Sequence, residues 1–349
     1  MLKQNFIDAQ ERLEGKLRNL DVKSLGLSEY TEHYCVFLLA DLTETLSRFR
    51  QVLEIAFESG NHKLMDLSIL DYGGGVGLQS MLAKELGVGK VYYNDIFEES
   101  CIDARTLAAA CDLSADLYLH GDAPEVVDFL NSLENSIDSI VSYDVIEHVY
   151  DVKLNFETFA SINLAPRILV YGSGANNKNP FYVHQVSQTQ KFVELVNRTP
   201  KIGHKERDST KSYLEIRKEF IMGLGKTLTQ NQIEYLASQT RGLILKDVEE
   251  VIDKYCKSGS IDYSPKHPTN TCDPITGNWC EQLLDFDWIH STAKRAGFES
   301  RLKKGFYSIS GSKFRKIKRA LMNGANFVFG RAGFRFAPFY ILVLKPVQK

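Results

Sequence analysis

At 349 residues the chain is long enough for one large α/β domain with additions or for two domains, and its 44% apolar and 25% charged content is that of a globular protein. Forty-two basic residues against 44 acidic ones exclude a wholesale polyanion binder and leave room for a local basic patch. The six cysteines, at 35, 101, 111, 256, 272 and 280, form no C-x-x-C pair, and the N-terminus lacks the apolar core of a signal peptide. The longest apolar runs, such as Tyr340–Leu344, are far too short to span a bilayer, so a cytoplasmic protein with reduced thiols is expected.

Residues 1–66 read as a helical N-terminal cap. Phe6–Leu20 is a charged amphipathic stretch, and Tyr34–Phe57 repeats apolar residues in an i, i+3, i+4 rhythm. Tyr30, His33 and Tyr34 share helical spacing, which fits core or rim better than a substrate entrance. From residue 67 to 172 short apolar runs alternate with helical periods, the signature of an α/β fold with a doubly wound, mostly parallel sheet. The spacing predicts strands over Ser68–Tyr72, Lys90–Asn94, Asp116–His120, Asp138–Tyr143 and Arg167–Tyr171. In such sheets the ligand lies at the carboxyl ends of the strands, so the residues that follow each strand matter most.

After the first strand the chain reads SILDYGGGVGLQS, residues 68–80: an acid, Asp71, then Gly73, Gly74, Gly75 and Gly77, then a helical period from Val76 to Leu86. A turn without Cβ atoms lets a ligand lie against bare backbone, and the helix N-terminus behind it offers unpaired N–H groups. The spacing is not that of a dinucleotide fingerprint, because Leu78 or Ser80 falls where a third Gly or Ala is needed. No Gly-Lys-Ser/Thr follows, so it is not a phosphate loop either. After the second strand come Asp95 and Ile96, the acid lying 22 residues beyond Gly73 and able to accept from both hydroxyls of a ribose. Gly121, Asp122 and Ala123 follow the third strand, and Asp before Pro124 and Glu125 is also a strong helix start. After the fourth comes SYDVIEHVYD, residues 142–151.

Asp71-x-Gly73-x-Gly75-x-Gly77 resembles the first motif of class I S-adenosylmethionine-dependent methyltransferases, a Rossmann-like family. Asp144 to Val149 resembles the D/E-V-I/L-E-H-V segment of a group that includes ubiquinone-biosynthesis O-methyltransferases and small-RNA terminal 2′-O-methyltransferases. The resemblance covers about residues 67–172 and implies S-adenosylmethionine as cofactor and S-adenosylhomocysteine as product. It implies that Asp71 faces the methionine amino group, Asp95 the ribose and Asp122 the adenine, with the N–H next to Asp122 meeting a ring nitrogen. Cofactor binding would then fall to Asp71, Gly73, Gly74, Gly75, Gly77, Asp95, Ile96, Asp122, Ala123 and Tyr143.

Methyl transfer from a sulfonium is an in-line displacement, so alignment and exclusion of water matter most. His148 is the attractive general base, since an imidazole titrates near neutrality, with Glu147 or Asp144 to orient it. A metal reading competes: Asp144, Glu147, His148 and His184 are ligand types for a divalent cation, which would acidify an acceptor hydroxyl. A packing role for Glu147 and His148 is the third reading. The loop GSGANNKNPFYVHQ, residues 172–185, offers Asn176, Asn179 and His184 as substrate contacts, against plain turn chemistry.

Residues 173–283 read as a helical and loop insertion forming a lid over the acceptor. It has helices over Gln188–Val196 and Glu234–Tyr255, an exposed run KERDSTKS at 205–212, and a turn-rich stretch His267–Leu283 around Trp279. Cys272 and Cys280 without a second pair are weak evidence for zinc. Residues 284–349 complete the sheet, with a helix at Phe286–Ala296 and closing antiparallel strands at Glu299–Ser308 and Phe339–Leu344. Between these lie Arg301, Lys303, Lys304, Lys313, Arg315, Lys316, Lys318 and Arg319 with no acid from 300 to 320. Such a run is a solvated helix face or a contact for an anionic surface at 301–319, and the apolar residues beyond it suit a membrane foot or an oligomer contact. The expected activity is O-methylation of a hydroxylated small molecule or glycan, by a cytoplasmic protein that can be peripheral at a membrane. Methylation of RNA 2′-oxygens and a non-catalytic nucleotide-binding role stand as alternatives. The Asn/Asp-Pro-Pro-Tyr signature of amino-group methylation is absent.

Overall fold

The computed structural model describes residues 2–58, 63–134, 136–199 and 209–347. Residues 205–208 of the run expected to be exposed lie outside the described residues. The chain divides into two compact units. The first comprises everything up to Ile146, Asp151–Asn179 and Asp285 onwards; the second comprises Glu147–Tyr150 and Pro180–Leu284.

In the first unit the N-terminal helices α1 (Leu2–Arg18), α2 (Glu29–Ala40) and α3 (Leu42–Ala56) precede an alternating run. That run is β1 (Ser68–Tyr72), α4 (Leu78–Glu85), β2 (Lys90–Asp95), α5 (Glu98–Ala109), β3 (Leu117–His120), α6 (Ala123–Asn131), β4 (Ser139–Tyr143), α7 (Val152–Ala160) and β5 (Ile168–Ser173). The second unit holds α8 (Pro180–Leu195), α9 (Tyr213–Gly223), α10 (Gln230–Gln239) and α11 (Leu245–Ser258). The first then resumes with α12 (Phe286–Arg295), β6 (Phe298–Lys304), α13 (Lys313–Val328) and β7 (Tyr340–Pro346).

The sheet runs β3-β2-β1-β4-β5-β7-β6, with β1 to β5 parallel and β7 antiparallel to both its neighbours. Its central strands are buried on both faces, as Ile69, Leu70, Val91, Val141, Leu169 and Val170 show, which is why they read as near-continuous apolar runs. The strand order reverses between β1 and β4, and a parallel sheet opens its ligand crevice at the carboxyl ends beside such a point. Phe6, Leu13, Leu46, Leu53 and Met81, from α1, α3 and α4, share one core with Ile69, Val91 and Val141.

Two long helical periods are each broken. Tyr34–Phe57 divides at Asp41, which leaves the helical region at φ −131° and whose carboxylate accepts from the guanidinium groups of Arg315 and Arg319. Glu234–Tyr255 divides between α10 and α11, where Gly242 has φ +84° and a Cβ would meet the Trp279 ring at 2.9 Å. The helix expected from Gln188 begins earlier, at Pro180, a residue suited to a first turn. The strand from Glu299 stops at Lys304, short of Ser308, and β7 runs on to Pro346.

The second unit is built round a buried ion pair. Arg217 is fully buried, donating from Nη2 to Glu194 and from Nε to the Ala237 carbonyl at 2.9 Å, while the Thr271 hydroxyl donates to the other Glu194 oxygen at 2.7 Å. Arg217→Ala strands a buried carboxylate, so a loss of about 3–5 kcal/mol is expected in urea unfolding. Arg217→Met with Glu194→Gln should recover part of it, because no unpaired charge remains.

Candidate functional site

The glycine turn after β1 is knitted from all sides. Gly74 N–H donates to the Asn94 carbonyl at 2.8 Å, Gly77 N–H to the Gly74 carbonyl at 2.9 Å, and Gly75 N–H to Asp95 Oδ2 at 3.0 Å. The Tyr93 hydroxyl holds the Gly75 carbonyl. Gly73, Gly75 and Gly77 have φ of +69°, +56° and +80°, the left-handed region where a side chain is strained. Their surroundings differ. A Cβ on Gly73 would lie 2.5 Å from Val145 Cγ2, and one on Gly74 2.5 Å from the Tyr93 ring. A Cβ on Gly75 would meet no described atom within 4 Å. The turn therefore presents open space at Gly75 alone of these three, a cradle of bare backbone of the kind a ligand occupies.

Asp71 borders the turn at Gly74, where a Cβ would lie 2.9 Å from its Oδ2. It is 1% exposed, and its two oxygens accept from Gln79 Nε2 at 2.9 Å and Ser80 Oγ at 2.7 Å, both on the first turn of α4. The carboxylate ties the helix to the strand beside the turn, through one hydrogen bond at each oxygen. Burial pushes its pKa up to about 6, against the pull of the hydrogen bonds from Ser80 and Gln79. Between about pH 4 and 6 the folded protein thus holds a proton the unfolded chain has lost, so this group's contribution to stability falls as pH rises through that window. Asp71→Asn should flatten that part of the unfolding profile, a difference on the order of 2–3 kcal/mol. It also gives an amide donor to Gln79 Oε1, which is buried without a partner. A profile unchanged by the substitution would contradict this reading.

Asp95 is buried at the end of β2; Oδ2 accepts from Gly75 and Oδ1 from Phe97 N–H at 2.9 Å, leaving each oxygen a further lone pair. Ile96 beside it is 45% exposed, an apolar surface next to the acid. Asp122 caps α6 in a capping box: Oδ1 accepts from Ala123 N–H at 2.7 Å and from the Tyr72 hydroxyl at 2.9 Å, and Glu125 accepts from Asp122 N–H at 2.9 Å. The Ala123 N–H serves this cap. Tyr143 packs edge-on to Phe49 and Phe339, its ring filling the space a side chain at Gly172 would need.

Asp144 adopts the left-handed conformation, φ +54°, and bridges the ends of β4 and β5. Its N–H donates to the Gly172 carbonyl at 2.9 Å and its Oδ1 accepts from Gly174 N–H at 2.7 Å. That geometry fixes the turn rather than an imidazole. Asn176 and Asn179, expected as substrate contacts, are buried: both amides donate to the Ala337 carbonyl, at 3.0 and 2.9 Å, and Asn176 also to that of Phe334 at 2.8 Å. They pin the loop after β5 to the segment leading into β7.

In the second unit Glu147 is buried and His148 half-buried. His148 Nδ1 lies 2.8 Å from the Trp279 carbonyl, and Trp279 N–H donates to the His148 carbonyl at 3.3 Å. A carbonyl only accepts, so Nδ1 carries the proton and the neutral ring keeps its lone pair on Nε2. Trp279 is itself fixed: its indole donates to the Tyr150 carbonyl at 3.1 Å and its ring stacks on Tyr150, whose hydroxyl donates to Asp247. The stretch around it is a hairpin, with Cys272 paired to Trp279 and a turn at Gly277, φ +76°. Burial raises the pKa of both Cys272 and Cys280, which opposes the thiolate zinc requires. His184 is exposed on α8. Among the described residues no three His, Cys, Asp or Glu side chains gather as a metal site.

Residues outside the recognised motifs carry much of this geometry: Gln79 and Ser80 lie within the glycine stretch, at the spacing of a first helical turn, and Tyr93 and Asn94 lie in β2, where no motif marks them.

Residues 70–162 match the model of a methyltransferase domain. None of the curated proteins compared matches the chain. Among solved structures, the chain is similar to magnesium protoporphyrin IX methyltransferase from Synechocystis with bound S-adenosylhomocysteine, at 15% identity over 88% of this chain and 87% of that one, TM-score 0.37. It is similar also to phosphoethanolamine N-methyltransferase 2 of Haemonchus contortus in complex with S-adenosyl-L-methionine, at 14% over 85% of this chain and 52% of that one, TM-score 0.36.

Proposed function

We propose that the protein, whose residues 70–162 match a methyltransferase-domain model, is an S-adenosylmethionine-dependent methyltransferase that methylates a hydroxyl oxygen of a small molecule or glycan. The bound cofactor supplies an electrophilic methyl group on a sulfonium. The open backbone at Gly75 would hold it, and Asp95 would accept from its ribose through the lone pairs the turn leaves over.

His148 Nε2 would take the acceptor's proton as the oxygen–methyl bond forms and the methyl–sulfur bond breaks, the sulfur leaving as the neutral thioether of S-adenosylhomocysteine, with the Trp279 carbonyl holding the tautomer. That fixed tautomer is the observation that favours an oxygen acceptor, since a hydroxyl must lose its proton and gains from a positioned base. Choice of acceptor is assigned to Pro180–Leu284, where polar and ring side chains such as Tyr182 and Trp279 are held by hydrogen bonds. The test is transfer of a tritiated methyl group to a panel of sugars, phenols, amines and RNA. Label is expected on a sugar or phenol and absent once its hydroxyls are acetylated. Label on an amine, or on RNA alone, would overturn the reading.

A further inference from the structure

Residues 300–349 contain 12 of the chain's 42 Lys and Arg residues and none of its 44 Asp and Glu. Much of that charge is used inside the first unit. Arg315 and Arg319 donate to Asp41, at 2.8 and 3.1 Å, Lys303 pairs with Glu58, and Lys304 donates to the carbonyls of Asn326 and Gly330. The basic stretch is therefore not a uniform solvated face.

Helix α13 is amphipathic the wrong way round for a globular surface. Its inward side is polar: Arg319 and Asn326 are buried, Asn326 donating to the Gly305 carbonyl at 2.8 Å, and Asn323 donates to the Tyr307 carbonyl at 2.8 Å. Its outward side is apolar: Phe314 is 79% exposed, Leu321 70% and Val328 74%, with Ile317 between them. At 100° per residue these four fall within an arc of about 60°. Exposed Lys313 and Lys318 border that arc on either side, and Lys316 lies beyond. Single exposed apolar residues are ordinary, whereas a continuous stripe with a cationic border marks a contact surface.

We propose that α13 docks on an anionic phospholipid bilayer, its apolar stripe at the acyl boundary and its lysines among the headgroups. The flanking cations match lipid phosphate and carboxylate, and the stripe between them matches the hydrocarbon edge, as in interfacial helices. A second copy fits less well, because an isologous contact would set each lysine row beside its own charge. Nucleic acid fits less well too, since the stripe offers it no hydrogen bonds. Among the described residues no helix is long and apolar enough to cross a membrane, so α13 lies on the surface.

The test is co-sedimentation of the whole chain with vesicles of phosphatidylcholine alone or with about 30% phosphatidylserine, a composition chosen to raise the negative surface potential. Binding is expected to the anionic vesicles, weakening as salt rises. Phe314→Ser with Leu321→Ser, and Lys313→Gln with Lys316→Gln and Lys318→Gln, should each lower partitioning by about 100-fold. All five side chains are exposed, so unfolding midpoints should hold. Equal binding to neutral vesicles, or wild-type binding by both variants, would overturn the proposal. So would a dimer, seen by sedimentation, that the apolar variant breaks while no vesicle is bound.

Discussion

Replacing His148 with Ala is expected to lower kcat by about 10²–10⁴-fold, the span of a positioned general base. KM for the acceptor should move little, because a residue acting as base takes a proton and does not grip the substrate. Added imidazole should restore part of the rate. The ring's hold on the Trp279 carbonyl gives a way to separate chemistry from fold: His148→Asn retains a donor, so its unfolding midpoint should stay near wild type while its turnover falls as in the Ala variant. If His148→Ala turns over at the wild-type rate, neither proton abstraction nor a metal held by this residue can be part of the reaction.

Gly75→Ala should lower affinity for S-adenosylmethionine at least about tenfold while leaving the protein folded. The left-handed φ costs roughly 1–2 kcal/mol for a residue with a Cβ, yet the added methyl meets no described atom within 4 Å. Its carbon projects into the space a ligand would need. Gly73→Ala separates the two effects. There the same change drives a Cβ to 2.5 Å from Val145 Cγ2, so overpacking of about 1–3 kcal/mol adds to the backbone cost and the unfolding midpoint should drop further than in Gly75→Ala. Calorimetric titration with S-adenosylhomocysteine alongside urea unfolding reads both quantities. A Gly75→Ala variant that binds as wild type would mean the open face of the turn is not the cofactor's.

The seven-stranded mixed sheet was legible because central parallel strands buried on both faces read as apolar runs, and the antiparallel partner β7 showed as one late apolar run, while the edge strand β6, FESRLKK, carries little apolar signal. The glycine turn was legible for the same local reason: positive φ at Gly73, Gly75 and Gly77 leaves little choice of residue. What local pattern could not carry were the partners far along the chain. Asp41, where a helical period breaks, meets Arg315 and Arg319 from 274 and 278 positions on. Asn176 looks like a substrate contact until the carbonyls of Phe334 and Ala337, 158 and 161 residues on, claim its amide. His148 owes its tautomer to Trp279, 131 residues away. Asp71 differs in that its partners, Gln79 and Ser80, lie close along the chain.

Isothermal titration with S-adenosylmethionine, set beside NAD and ATP, tests the central claim most directly. Saturable one-to-one uptake of the sulfonium compound alone is the predicted result. Saturation by a nicotinamide dinucleotide or a nucleoside triphosphate, with no heat from S-adenosylmethionine, would contradict it.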